Sequence, residues 1–184
     1  GHRRDFIGFD KPVPYAYVAG QWGGVYLLSN NGQHTISNVN ISSAQVGIYM
    51  ANDDRRQLPN LVILNSILHN FVFYALVAQN ANVDVANTEI SNTGNYCVYL
   101  SGGTHSFEHC SILNFYNSGT SQPSSRDRGP AMLIQALPRT APMFTRVVNS
   151  VIDGSLDNEF TIASRFPDKQ TGEFSNNFIR RARS

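Results

Sequence analysis

The sequence predicts an all-β solenoid, in which short strands and turns repeat as stacked coils. A motif of the form apolar–any–Asn–any–any–apolar occurs six times, with His replacing Asn in one copy. The third residues of the copies stand at steps of 27, 22, 22, 40 and 27, and are Asn38, Asn65, Asn87, His109, Asn149 and Asn176. A second apolar segment precedes each copy. Only 15% of residues are charged, which suits strands and turns better than amphipathic helices.

Each unit therefore has a first strand upstream of its Asn motif. These strands are predicted at residues 24–27, 47–50, 75–78, 97–100, 131–134 and 159–162. Alternation points one set of apolar residues to the inside, namely Val25, Ile48, Leu76, Val98, Met132 and Phe160. A unit of about 22 residues cannot bury its own apolar face, but a stack of such units can, with parallel strands about 4.8 Å apart.

The Asn positions are predicted to be turns in the left-handed α region, which Asn tolerates better than most residues. Stacked coils would bring these side chains together as a hydrogen-bonded ladder. The ladder is a structural prediction and includes His109 at the one position that lacks Asn. Its six members predict about six coils, with one ladder position in each.

The domain organisation follows from length and from where the repeat begins. The 184 residues suit one domain. Residues 1–23 do not fit the repeat, and Pro12, Pro14 and Gly20 interrupt an aromatic stretch that ends at Trp22. We interpret residues 1–23 as a capping segment, with a flexible tail as the alternative, and residues 24–184 as the solenoid.

Charge and hydropathy exclude two classes of partner. A net charge of +1 gives no basic surface for nucleic acid. No run approaches the roughly 18 apolar residues of a membrane span. Cys97 and Cys110 do not settle the compartment, and a direct disulfide between them is not expected because they fall on different parts of one coil.

Three segments carry a resemblance to a known family: residues 20–26 (GQWGGVY), 90–93 (ISNT) and 95–98 (NYCV). With the turn Asn residues, they resemble the right-handed parallel β-helix, the pectate-lyase-like superfold, and within it poorly characterised exported β-helix proteins of Bacteroidetes bacteria. The resemblance covers nearly the whole chain. It implies no cofactor and carries over no catalytic residues.

The same resemblance implies a location and a partner. In the relatives, a Gly-x-Arg-x-Asp segment like residues 1–5 follows further coils after a lipoprotein-type signal. The chain is therefore expected to be the later part of a longer product. Upstream β-helix coils would then be its neighbours. Its expected location is extracellular or at the cell surface, through a lipid anchor outside this sequence.

Insertions of unequal length indicate where a ligand would bind. Residues 51–60 carry Asp53, Asp54 and Arg55, and residues 113–130 carry Arg126 and Asp127. In repeat proteins, insertions collect on the binding face. We expect these loops to flank the sheet of first strands and to form a shallow groove.

The outward positions of that sheet include a column of aromatic residues. The column reads Tyr26, Tyr49, Val77, Tyr99, Leu133 and Thr161, with Gln79 and Gln135 in the next column. Aromatic rings in register suit stacking on sugar rings, and Gln suits sugar hydroxyls. Alternatively, the tyrosines stack only for stability, or a loop covers them. The favoured function is non-catalytic carbohydrate binding or surface scaffolding.

An enzyme and a structural spacer are the other hypotheses. A polysaccharide lyase or glycoside hydrolase acting on an acidic, plant or host glycan needs carboxylates, and hydrolysis needs two at roughly 5–9.5 Å. Neither outward column contains Asp or Glu, and Asp53 and Asp54 lie on a loop. His105 and His109 are four residues apart, a spacing that brings metal ligands together on a helix but not on a strand. No metal is predicted.

Overall fold

The computed structural model describes residues 17–28, 31–116, 128–163 and 165–182, together with the backbone of two short strands near the N-terminus. These two strands, β1 (Phe6–Ile7) and β2 (Val13–Pro14), pair antiparallel. The other strands of the described residues form three parallel sheets of six strands each. Among the described residues, no helix is long and apolar enough to cross a membrane.

The chain enters the three sheets in turn, once per coil. Sheet 1 contains β3 (Val25–Leu27), β6 (Val46–Ala51), β9 (Tyr74–Gln79), β12 (Val98–Ser101), β15 (Met132–Gln135) and β18 (Phe160–Ala163). Sheet 2 contains β4 (Gln33–Ser37), β7 (Asn60–Leu64), β10 (Asn82–Ala86), β13 (Gly103–Glu108), β16 (Met143–Val148) and β19 (Gln170–Ser175). Sheet 3 contains β5 (Asn40–Ser42), β8 (Ile67–Phe71), β11 (Glu89–Thr93), β14 (Ser111–Asn114), β17 (Val151–Gly154) and β20 (Phe178–Ile179). A short 3₁₀ helix, Pro167–Lys169, precedes β19.

The core runs along the axis of the stack. The predicted inward column is in register from coil to coil: Val25, Ile48, Leu76, Val98, Met132 and Phe160. Ile48, Leu76 and Val98 are fully buried, whereas Val25 in the first coil is only partly buried. Each coil therefore depends on the coils above and below it to cover its apolar side chains. The predicted all-β solenoid of parallel strands is confirmed.

The turns between sheets 2 and 3 have the predicted conformation. All six turn residues have positive φ, between 50° and 55°. Among the described side chains, amide contacts at 3.3 Å join Asn87 to Asn65 and Asn149 to His109. All six side chains are exposed, because the turn points them away from the core.

A second, buried ladder lies one residue further along the turns of the second to fifth coils. The Ser66 hydroxyl donates to the Leu64 carbonyl at 2.7 Å, and the Thr88 hydroxyl donates to the Ala86 carbonyl at 2.8 Å. The Ser66 N–H in turn donates to the Thr88 hydroxyl at 3.4 Å. Ser150 occupies the same position in the fifth coil, with its hydroxyl 2.8 Å from the Val148 carbonyl. These side chains satisfy backbone groups that the turn removes from water.

The end of the predicted capping segment already pairs with the solenoid. The backbone of residues 20–23 hydrogen-bonds to residues 43–46. Trp22 forms a parallel bridge with Ala44, and its indole N–H donates to the Ser42 carbonyl at 2.9 Å. The indole is 42% exposed. Trp22 therefore lies beside the first coil, and its ring is open to solvent on one side.

Candidate functional site

The outer face of sheet 1 presents the predicted tyrosine column in register. Tyr26 pairs with Tyr49, Tyr49 with Val77, and Val77 with Tyr99. The rings of Tyr26 and Tyr49 lie 5.6 Å apart between centroids, within the range of a favourable aromatic contact. Tyr26 is half exposed, and Tyr49 and Tyr99 are partly exposed. The described part of the chain thus leaves these rings open to a ligand.

Further aromatic rings extend the column towards the corner between sheets 3 and 1. Ring centroids lie 6.4 Å apart for Phe73 and Tyr74, 5.9 Å for Tyr74 and Tyr96, and 6.0 Å for Tyr96 and Tyr99. We use the name aromatic strip for the six residues Tyr26, Tyr49, Phe73, Tyr74, Tyr96 and Tyr99. Sequence reasoning missed three of them, although Tyr74 and Tyr96 are one 22-residue repeat apart.

Burial raises the pKa of two tyrosine hydroxyls of the strip, which therefore stay neutral at physiological pH. Burial, with the neighbouring Tyr74 as the second cause, raises the pKa of Tyr96. Burial likewise raises the pKa of Tyr99, against a smaller opposing effect of its hydrogen bond with Ser101. A neutral phenol donates one hydrogen bond and accepts others. Each of these hydroxyls can therefore donate a hydrogen bond to a ligand hydroxyl or accept one from it.

The outward column of sheet 1 lacks an aromatic ring in the third, fifth and sixth coils. Val77 and Leu133 of the predicted column are buried, and Thr161 is partly buried. In the adjacent column, Gln79 and Gln135 are partly exposed. They stand where the sequence predicted polar partners for the rings.

The loop that follows β6 is organised by its own polar groups. The buried Asn52 side chain donates to the carbonyls of Asp54 and Gln57, and its Oδ1 accepts from the Asp54 N–H at 2.9 Å. Asp54 Oδ1 accepts from the Arg56 N–H at 2.9 Å. Asp53, Asp54 and Arg55 are exposed. The Asp54 carboxylate therefore helps to shape the loop. Among the described residues, Asp53 forms no such turn contact.

A buried ion pair closes the base of the long insertion. Predicted site residues Arg126 and Asp127 lie outside the described residues. The next residue, Arg128, forms a bidentate pair with Glu159 at 2.5 and 3.1 Å, and both side chains are almost fully buried. The same guanidinium donates to the carbonyls of Asn114 and Gly129. Glu159 also accepts from the N–H groups of Ala131 and Leu156.

This ion pair was not predicted, since Arg128 and Glu159 are 31 residues apart and no local pattern joins them. It explains how the insertion meets the strip. A Cβ on Gly129 would fall 2.0 Å from the Tyr96 ring, so the insertion can pass this ring only as glycine. The pair therefore positions the edge of the insertion directly against the aromatic strip.

Histidines and cysteines are the other reactive side chains of the described residues. No group of three or more His, Cys, Asp or Glu residues that could hold a metal ion occurs among the described residues. His105 is fully buried with Nδ1 3.2 Å from the Thr145 hydroxyl, and burial lowers its pKa to about 4. Cys97 and Cys110 are buried free thiols, and burial raises their pKa values to about 12 and about 11. Neither thiol would be a nucleophile at neutral pH, because the thiolate is the reactive form.

Comparison with family models gives one match. The model described as "Right handed beta helix region" matches residues 23–128, which is more than half of the chain. Comparison with curated proteins and with solved structures gives no match.

Proposed function

The chain belongs to the family of right-handed β-helix proteins, and we propose that it binds polysaccharide along the aromatic strip without cleaving it. The observation that carries the proposal is the arrangement of the strip. Two runs of contacting rings lie partly exposed along sheet 1 and its corner with sheet 3, one at Tyr26 and Tyr49 and the other from Phe73 to Tyr99.

The chemistry of the strip fits a sugar. An aromatic face carries the negative part of the ring quadrupole, which attracts the weakly positive C–H groups on the face of a pyranose. The phenol hydroxyls and the amides of Gln79 and Gln135 supply donors and acceptors for the hydroxyls at the edge of the sugar. A parallel stack repeats these groups about every 4.8 Å, so the surface suits an extended chain.

The carboxylates favour binding over cleavage. Glu159, which directly precedes β18, is fully buried and is enclosed by Arg128 and two backbone N–H groups. Asp153 pairs with Arg180, and that hydrogen bond holds the pKa of Asp153 below its usual value. A hydrolase needs one carboxyl group that stays protonated, and such a partner for Asp53 is not among these groups. Glycan cleavage by loop-borne acids is the competing function.

A glycan array followed by calorimetry on the glycans that bind tests the proposal. Tyr49→Ala and Tyr99→Ala should each weaken binding about fivefold or more, the effect of removing a contact of about 1 kcal/mol. Phe144→Ala is the matched control, because Phe144 is an aromatic residue of sheet 2 that is 38% exposed. The control should bind as the unmodified chain does.

The same glycans should be assayed for new reducing ends and for unsaturated products. Release of either product, abolished by Asp53→Asn, would replace the binding proposal with the enzyme. An array without any bound glycan would leave the scaffold hypothesis. Export to the cell surface and stacking on upstream coils stay predictions from the resemblance to exported β-helix proteins.

A further inference from the structure

A second concave surface lies at the corner where sheet 3 leads into sheet 1. It has a volume of about 560 Å³ and is lined by residues 17–19, Asn70, Asn92, Phe115 and Tyr116. We call it the corner groove. Its volume falls within the roughly 300–1,000 Å³ of typical small-molecule sites. None of the described residues that line it is charged.

The floor of the corner groove consists of two amides on successive coils. Asn70 and Asn92 both have positive φ, 64° and 53°, which turns the chain sharply at this corner. They are 22 residues apart in sequence and so about 4.8 Å apart in the stack. Asn70 Nδ2 contacts the Ser43 hydroxyl at 3.4 Å. Asn92 is exposed, and no side-chain hydrogen bond holds its amide among the described residues.

Two exposed aromatic residues line the groove. Tyr17 is 72% exposed and Phe115 is 52% exposed. Phe115 lies there because the fourth coil breaks the pattern of the corner. Asn114 there has no positive φ; its side chain is buried, and its Oδ1 accepts from the N–H groups of Thr93 and Tyr116. The chain is thereby directed outward into the insertion.

The buried ion pair holds the start of the insertion beside the groove. Arg128 donates to the Asn114 carbonyl at 2.5 Å while it pairs with Glu159. Both ends of the insertion are thus tied to the fifth and sixth coils. The Tyr116 ring packs 3.6 Å from the position that a Cβ on Gly94 would take. Phe115 and Tyr116 are therefore held by the solenoid, whereas residues 17–19 belong to the segment before it.

We propose that the corner groove is a binding site for a neutral sugar, distinct from the aromatic strip. The exposed rings of Tyr17 and Phe115 offer apolar faces to a pyranose ring. The Asn92 amide supplies both a donor and an acceptor for vicinal hydroxyls. Among the described lining residues, no side chain offers a counter-charge to a charged ligand. The site stands on its own residues and does not depend on binding at the strip.

An NMR titration of the isotopically labelled chain tests the site. The probes are glucose, galactose, mannose, xylose and N-acetylglucosamine, with galacturonic acid as the charged comparison. At least one neutral sugar should shift the side-chain amide signals of Asn70 and Asn92 more strongly than galacturonic acid does. Tyr17→Ala, Phe115→Ala and Asn92→Gly should each weaken this binding about fivefold or more.

The variants have matched controls. Asn92→Gly removes the amide but keeps a residue that accepts positive φ, and Asn149→Gly makes the same change at a distant exposed turn. Asn149→Gly and Phe144→Ala should bind the sugar unchanged, and circular dichroism should show that every variant is folded.

Each possible outcome decides between the two sites. Amide shifts that survive in Tyr49→Ala and Tyr99→Ala but vanish in the groove variants establish the corner groove, whatever happens at the strip. Binding abolished only by the strip variants would overturn the corner groove and leave the proposed function standing. If none of the neutral sugars shifts the two amides, or if galacturonic acid shifts them more, the proposal fails.

Discussion

At the scale of single residues, two neighbouring residues have different roles in a turn between sheets 2 and 3. One adopts the left-handed backbone conformation, and the next forms the buried hydrogen bonds. Asn87 supplies the backbone conformation, with φ of 50°, while its side chain is exposed. Thr88 is 2% exposed and supplies the buried hydrogen bonds. The Asn spacing predicted the first role. The second was missed because Ser, Thr, Cys and Asn all occur one residue after the turn, and no single residue type marks it.

Substitutions at these two residues should separate the roles. Asn87→Ala places a Cβ-bearing residue without a compensating amide in the left-handed region, which costs about 1 kcal/mol, and Asn87→Gly should cost less. Thr88→Val removes a buried hydroxyl at nearly constant volume and should cost about 1–3 kcal/mol. Urea denaturation measures each change. A larger loss for Asn87→Gly than for Thr88→Val would contradict this assignment of roles.

His105 should make stability depend on pH. Its pKa falls from 6.5 to about 4 on folding, because burial disfavours the charged ring. Between these values the unfolded chain binds a proton that the folded chain does not. The free energy of unfolding should therefore decrease as pH falls from 6.5 to about 4, by about 3 kcal/mol in total.

The variant His105→Leu should lose this dependence. Leu61 occupies the same inward column two coils earlier, so the side chain suits the position. His109→Asn is the control, since it changes an exposed histidine to the residue found at the equivalent turns. Urea midpoints measured across the pH range should flatten for His105→Leu alone. Parallel curves for the two variants would contradict the assignment.

At the scale of elements, alternation predicted strands well and corners poorly. The tyrosine column was predictable because every second residue of a strand points outward, so Tyr26, Tyr49 and Tyr99 followed from the repeat. Tyr74 and Tyr96 stand at a corner, where the turn interrupts the alternation. The Asn70 and Asn92 floor was missed for the same reason. The sequence therefore predicted three of the six residues of the aromatic strip, and it did not predict the corner groove.

The pair of Arg128 and Glu159 should dominate the stability of the insertion. Glu159→Gln leaves a buried guanidinium without its counter-charge and should cost about 3–5 kcal/mol. The double variant Arg128→Met with Glu159→Leu should recover most of that loss, because no charge stays buried. Glu108→Gln is the control: its pair with Arg146 is exposed, at 3.5 Å, and should be worth at most about 1 kcal/mol. A double variant as unstable as Glu159→Gln would contradict the argument.

At the scale of the whole molecule, strand pairing joins only successive coils. Every parallel pairing of the three sheets links a coil to the one before or after it. The middle coils are covered on both sides, whereas Ile162 and Phe174 of the sixth coil are 42% and 37% exposed. Stability in such a stack is a sum of coil and interface terms, so it should decrease towards an uncovered end.

Replacing valine by alanine at two positions of the same inward column tests whether stability decreases towards the end of the stack. Val98 in the fourth coil is fully buried, and Val25 in the first coil shares its column but is only partly buried. Val98→Ala should cost about 2–3 kcal/mol, from lost apolar burial and the cavity left behind. It should speed hydrogen exchange in the coils on both sides, because opening of the fourth coil uncovers one face of the third coil and one face of the fifth. Val25→Ala should cost less than about 1 kcal/mol. Its effect on exchange should stop at the first two coils, since the rest of the stack keeps its neighbours when the first coil opens. Uniform acceleration in both variants would mean that the chain unfolds as one cooperative unit, and that the exposed coils are as firmly held as the buried ones.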